Sequence, residues 1–197
     1  MNLLFVDSCI SQRGPASRTA ALAAAFLKTV RARRPDWTVE TVSQETLLAL
    51  KPFSAEALDA REALARSGRF DTPEFDLARQ FQSADGIVVA APYWDLSYPA
   101  ALRTYIEHIS VVGLTYHYEA DGCHGDCRAG RLVYLTTGGD FEQADSVGVL
   151  HWRQLCTLFG IPRFDAVFAG GLDAAPDRTE EQLAAGCARA RQLAEEF

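Results

Sequence analysis

Short apolar runs alternate with helix-patterned stretches along this chain, and that alternation is what most limits the folds open to it. Leu3, Leu4, Phe5 and Val6 form an uninterrupted apolar run, as a strand buried on both faces requires. Residues 8–17 are polar and contain Gly14 and Pro15, hence a loop. Leu22, Phe26 and Val30 then recur every four residues through alanine-rich sequence, the pattern of an amphipathic helix. Arg31, Arg33 and Arg34 suit its negative C-terminal end, and Pro35 stops it. Residues 37–42 alternate and are β-branched, which predicts a second strand. Residues 86–91 make a third strand closed by Pro92, residues 132–137 a fourth broken by Gly138 and Gly139, and residues 165–169 a fifth. Leu102, Ile106 and Ile109 mark a helix with Pro99 in its first turn. Trp152, Leu155, Cys156 and Phe159 mark another, ending at Gly160. Thr179-Glu180-Glu181-Gln182 has the form of a capping box opening a last helix. Residues 43–83 are the least regular, with helical periodicity over 57–64 and 75–81 split by Gly68 and Pro73.

Strands that alternate with helices pair in parallel, because parallel neighbours need crossover connections. The expected fold class is therefore α/β: a five-stranded parallel sheet with helices on both faces. The chain shows no repeat or linker, and 197 residues hold one full core, so a single domain over 1–197 is expected. Nineteen basic against 26 acidic residues leave a formal charge of −7, which argues against nucleic acid as a partner. No apolar run approaches the roughly 18 residues of a membrane span. The six residues before Asp7 lack the basic stretch of a signal peptide, so a cytoplasmic location is expected. Five scattered cysteines, an odd number, suit free thiols in a reducing compartment.

In such sheets ligands sit at the carboxyl ends of the strands, near the point where strand order reverses. Three loops follow strands one, three and four. The first, residues 8–19, leads into a helix start, where free N–H groups and partial positive charge suit a phosphate. Ser8, Ser17 and Thr19 add hydroxyls and Arg18 adds charge, although Ser17 or Thr19 serving only as a helix cap explains them equally well. Neither G-x-x-x-x-G-K-[ST] nor G-x-G-x-x-G is present, and a Cys9-based phosphate cradle needs arginine where Pro15 stands. The second loop, Pro92-Tyr93-Trp94-Asp95-Leu96-Ser97-Tyr98-Pro99, sets adjacent aromatics between prolines, and rings exposed at a strand end are costly unless something flat covers them. In the third, Thr136-Thr137-Gly138-Gly139, paired glycines let backbone approach a ligand, or simply make a tight turn. Together the loops describe a ligand with a phosphate at one end and a planar ring at the other, as in flavin mononucleotide.

These stretches, with residues 102–109, 113–118, 159–161 and 168–171, fall in the order and loops of a known family. The chain resembles the FMN-dependent azoreductases among the flavodoxin-like NAD(P)H:quinone oxidoreductases. The resemblance implies a doubly wound sheet of order 2-1-3-4-5 and bound FMN as cofactor. It also implies NADH or NADPH as co-substrate, a quinone or azo compound as acceptor, a ping-pong cycle and a homodimer. By resemblance, Ser8, Ser17, Arg18 and Thr19 hold the phosphate, and Pro92, Tyr93, Trp94, Asp95 and Leu96 line the isoalloxazine. Thr136, Thr137, Gly138 and Gly139 meet its pyrimidine side, the two glycine amides stabilising the reduced ring. Tyr116, Tyr118 and Phe159 are the implied substrate-side residues, and no side chain is assigned as catalytic. Asp95 stands where asparagine is common in the family. A flavodoxin-type electron carrier, and a cofactor-free interaction module on the same fold, are the competing readings. Cys123-His124-Gly125-Asp126-Cys127 departs from the family pattern. One loose C-x3-C pair, with no second pair nearby, reads as a loop rather than a metal or redox site. His108 and His151 read as packing or surface residues on helices.

Overall fold

The computed structural model describes residues 1–11, 13–141 and 145–197. Five parallel strands form the main sheet: β1 (Asn2–Asp7), β2 (Thr38–Val42), β3 (Gly86–Ala90), β6 (Arg131–Thr137) and β7 (Arg163–Ala169). Their order is β2-β1-β3-β6-β7, which is 2-1-3-4-5 once the separate ribbon of β4 (Tyr116–Glu119) and β5 (Gly122–Gly125) is set aside. Cys123, His124 and Gly125, expected in a loop, are therefore strand residues, antiparallel to β4 with His117 opposite His124.

Period-2 alternation divides the strand side chains between two cores. Leu3, Phe5, Val88, Ala90, Val133 and Leu135 face α1 (Arg18–Arg33) and α7 (Thr179–Glu195). Leu4, Val6, Ile87, Val89, Leu132 and Tyr134 face the other layer. That layer comprises α2 (Gln44–Ala49), α4 (Asp76–Ser83), α5 (Ala100–Ile109) and α6 (Val147–Phe159). The uninterrupted apolar runs of β1, β3 and β6 follow from this double burial. Gly160 stops α6 in the left-handed conformation, φ 73°, as its position predicts.

The capping-box expectation at α7 is overturned. Thr179 is already the first helical residue, because the 3₁₀ turn Pro176–Arg178 runs straight into the helix. Its hydroxyl instead donates to the Leu172 carbonyl at 2.8 Å.

Residues 43–83 gain order from a buried charge. Arg61, on α3 (Ala55–Arg66), donates to the carbonyls of Glu107, His108 and Ser110 at the end of α5, at 3.3, 2.9 and 3.3 Å. Its guanidinium also lies 4.9 and 5.6 Å from the ring centroids of Phe53 and Phe75. One cation thus satisfies carbonyls that a helix end leaves without partners.

The ribbon is docked through its last strand. Gly125 lies so close to Phe159 and Gly160 that a Cβ there would overlap their backbone, and Cys127 N donates to Phe159 O at 3.1 Å. Gly125→Ala should therefore cost about 1–3 kcal/mol in urea unfolding. Gly130→Ala, at an exposed site with open space around it, should stay within about 0.5 kcal/mol.

Candidate functional site

From β1 the chain steps to β2 on one side and then crosses back to β3 on the other, so strand order reverses beside β1. At the carboxyl ends of β1, β3 and β6 lies a cleft of about 160 Å³, and its wall draws on all three predicted loops.

The first loop contributes Ser11, Arg13, Ser17, Arg18 and Thr19. Ser17 caps α1, its hydroxyl accepting from Ala20 N at 3.3 Å, so the cap reading holds and the residue lines the cleft as well. The amides of the first helical turn have no carbonyl partners within the helix. Thr19 Oγ1 and Thr137 Oγ1 share a hydrogen bond of 2.5 Å that ties the first loop to the third. Arg18 pairs with Asp173 at 2.7 Å across the mouth.

The second loop contributes Pro92, Tyr93 and Trp94. Tyr93 N donates to Thr137 O at 2.9 Å, and its ring meets Phe168 edge-on, 5.2 Å between centroids. Trp94 and Ser97 then exchange backbone hydrogen bonds of 3.3 and 2.8 Å around a two-residue turn. Asp95 and Leu96 in that turn have φ of 49° and 64°, the only positive values outside glycine among the described residues. Such primed turns favour Asn and Gly, and each left-handed residue costs about 1–2 kcal/mol. Trp94 is 39% and Leu96 68% exposed, so an apolar rim stands above the polar cleft.

The third loop contributes Thr137, Gly138 and Gly139. A Cβ on Gly138 would come within 2.8 Å of Phe168, and one on Gly139 within 2.5 Å of the Asp173 carboxylate. The expectation that both amides face a ligand is corrected: Gly138 N already donates to Ala169 O at 3.0 Å. Among the described residues, only the Gly139 amide of the two is without a partner.

Other predicted residues fall elsewhere. Ser8 is fully buried at the end of β1 and Thr136 within β6; neither lines the cleft. Ser8 Oγ has no hydrogen-bond partner among the described residues. Tyr116 and Tyr118 lie on the ribbon, their rings 5.9 Å apart, Tyr116 facing a separate groove beside Arg61 and Val112. Phe159 is corrected as a substrate residue: it is wholly enclosed, packed edge-on against Phe81, and offers a ligand no surface. Ser11, Arg13, Leu172 and Asp173 line the cleft without having been singled out. The signal for Asp173 was Gly170-Gly171, a second double glycine at a strand end.

Cys9 is buried and Cys127 partly buried, and both hold their protons. Burial, then the Asp7 carboxylate, pushes the Cys9 thiol far above its ordinary range. Burial pushes the Cys127 thiol up to about 12. His108 and His151 are packing residues: His108 stacks on Phe53 at 4.3 Å, and His151 bonds to Tyr98.

The family model for the flavodoxin-like fold matches residues 1–194, and the chain belongs to that family. Among curated relatives, the FMN-dependent NADH:quinone oxidoreductase 2 of Clostridium acetobutylicum is 29% identical over 188 residues, 92% of each chain. The FMN-dependent NADH:quinone oxidoreductase of Staphylococcus haemolyticus is 32% identical over 127 residues, 62% of this chain and 61% of that protein. Among solved structures, an azoreductase from Bacillus anthracis superposes with a TM-score of 0.87 at 23% identity over the full length of both chains. An FMN-dependent NADH-azoreductase from the same species, in complex with FMN, gives 0.79 at 17% identity over 98% of each. At those identities the structural likeness speaks to the fold alone. No helix among the described residues is long and apolar enough to cross a membrane.

The strained turn supplies a direct check. Leu96→Gly removes one left-handed side chain, offset in part by the larger entropy of the unfolded glycine chain. It should raise stability by about 0.5–1 kcal/mol in urea unfolding.

Proposed function

We propose that the chain, as one domain over residues 1–197, is an FMN-dependent oxidoreductase that passes a hydride equivalent from NADH or NADPH to a quinone or azo compound. The observation that carries this reading is the pairing of two unlike surfaces at one sheet edge. A small polar cleft at the start of α1 adjoins an exposed aromatic rim at the end of β3. Its 160 Å³ falls below the roughly 300–1,000 Å³ that encloses a whole small molecule. That size suits the phosphate end, with a flat ring left to lie over Trp94 and Leu96. The Arg18 guanidinium and the hydroxyl side chains of Ser17 and Thr19 on the cleft wall fit such a ligand. The names of the full-length relatives support the cofactor and the substrates.

FMN, when bound, supplies a ring that accepts a hydride from a nicotinamide and gives two electrons back. The protein's own part is to position and to exclude. Ser17, Arg18, Thr19 and the first-turn amides of α1 would hold the phosphate dianion. Thr137 and the Gly139 amide would hold the edge of the ring, and Tyr93 with Trp94 would support it. An open rim admits one planar partner at a time, so donor and acceptor bind in turn, in the ping-pong manner. The protein's catalytic contribution would be to bring donor and acceptor in turn against the bound ring. A homodimer would close the rim with the exposed Tyr118 ribbon of a second copy.

Purified protein should take up FMN at micromolar concentration and quench its fluorescence. Stopped-flow mixing with NADH or NADPH should then bleach the bound flavin, which a pure electron carrier would not allow. A protein that takes up no FMN refutes the proposal. Arg18→Ala should weaken FMN about 10- to 100-fold, the value of a charge-assisted hydrogen-bond pair. The double change Gly138→Val and Gly139→Val should abolish uptake while circular dichroism still reports a folded sheet.

A further inference from the structure

Arg61 is a buried cation whose charge is only partly answered. The residue is 8% exposed, and its hydrogen-bond acceptors among the described residues are all backbone carbonyls. Those of Glu107, His108 and Ser110 take a single nitrogen, Nη2, while Nε is enclosed without a partner. The neighbouring Glu62 carboxylate is engaged by Arg66 at 3.2 Å. A helix end supplies about half a unit of negative charge, so about half of the guanidinium charge is left over. Buried charges are ordinarily paired, because a cation withdrawn from water is costly alone. Loss of water accordingly pulls the Arg61 pKa down, with Tyr116 and then Glu62 offsetting part of the effect.

The same residue lines a groove of about 520 Å³ between α3 and the chain that follows α5. That volume lies within the roughly 300–1,000 Å³ that holds a small molecule. Leu58, Ala65, Val111 and Val112 make its walls apolar, and Tyr116 brings a hydroxyl. No residue of this groove lines the cleft at the strand ends, so the two are separate. A ligand that fits must cover apolar walls and bring a single negative charge to the guanidinium. A phosphate ester carries nearly two charges and three acceptor oxygens, which these walls would leave mostly without donors. A neutral ligand would leave Arg61 as it is. A rigid ring also loses less freedom on binding than a flexible chain of equal area.

We propose that this groove is a binding site for a small aromatic carboxylate. Its carboxylate pairs with Arg61 and its ring lies against Leu58, Val111 and Val112. The charge-assisted hydrogen bond supplies orientation, and burial of the ring supplies most of the contact area.

The site is tested by titrating the full-length protein with 2-naphthoate in a calorimeter. One molecule per chain is expected, with a dissociation constant of about 1 mM or tighter for a ligand of this size. The uncharged 2-naphthalenemethanol should bind about 10-fold more weakly or worse. Inorganic phosphate and FMN, each in excess, should leave the naphthoate affinity unchanged. Arg61→Gln keeps a donor for the α5 carbonyls, removes the charge, and should weaken binding about 10-fold or more. Leu58 is 40% exposed, so Leu58→Glu sets a like charge at the groove without touching the contacts of Arg61. With an unchanged circular dichroism spectrum it should weaken naphthoate to a similar degree, and it decides the matter should Arg61→Gln fail to fold. Absence of saturable naphthoate binding overturns the proposal. So does equal binding of the alcohol, competition by phosphate or FMN, or binding that survives Leu58→Glu in the folded protein.

Discussion

The burial of β1 on both faces and both edges is the constraint on which the rest depends. Its Leu3, Leu4 and Val6 are fully enclosed, and it is paired in parallel with β2 on one side and β3 on the other. Parallel pairing forces every connection across a face, so helices must cover both faces. The reversal of strand order beside β1 leaves the connections after β1 and β3 diverging to opposite layers, and a gap opens between them. The cleft is that gap, lined by whatever side chains the neighbouring loops carry. Ser17, Thr19 and Thr137 can meet there because the sheet registers Asp7 against Ala90, and Ala90 against Leu135.

How much was legible in the sequence followed from how each element is buried. Strands β1, β3 and β6 read directly because two-sided burial demands apolar residues at every position. Helix α2 passed unread because it is six residues long and buries only Leu47. Helix α3 has helical periodicity, yet the residue it buries is Arg61, and a lone arginine gives no sign of being interior. Its burial depends on three carbonyls more than forty residues away, information that no local pattern holds. Thr179 illustrates the converse: the capping pattern was genuine, but the preceding 3₁₀ turn left no cap position for it to fill.

The site was legible by residue type and much less so by role. Hydroxyls and arginine before a helix, aromatics between prolines and paired glycines all marked the loops that meet at the cleft. Two roles shifted for steric and hydrogen-bonding reasons. Gly138 is small because Phe168 and Tyr93 crowd it, and its amide closes onto β7 instead of facing outward. Asp173, 155 positions from Arg18, could be found only from the fold. Phe159 misled because an apolar residue at a helix end looks alike whether it faces a ligand or Phe81.

The second loop carries a conflict that bears on function. A glycine at 96 would adopt φ 64° freely, whereas leucine pays the left-handed penalty and leaves its side chain 68% exposed. Neither term helps the folded chain, and both burden the same residue. The turn is held in spite of them by the reciprocal Trp94–Ser97 hydrogen bonds and by anchoring on either side. Tyr93 N is fixed to β6, and Tyr98 is buried beside His151. Strain over-determined by its surroundings belongs where geometry is used. A flat ligand laid over the rim would cover Leu96 and Trp94 together, recovering the exposed apolar area at the place where the backbone is most constrained.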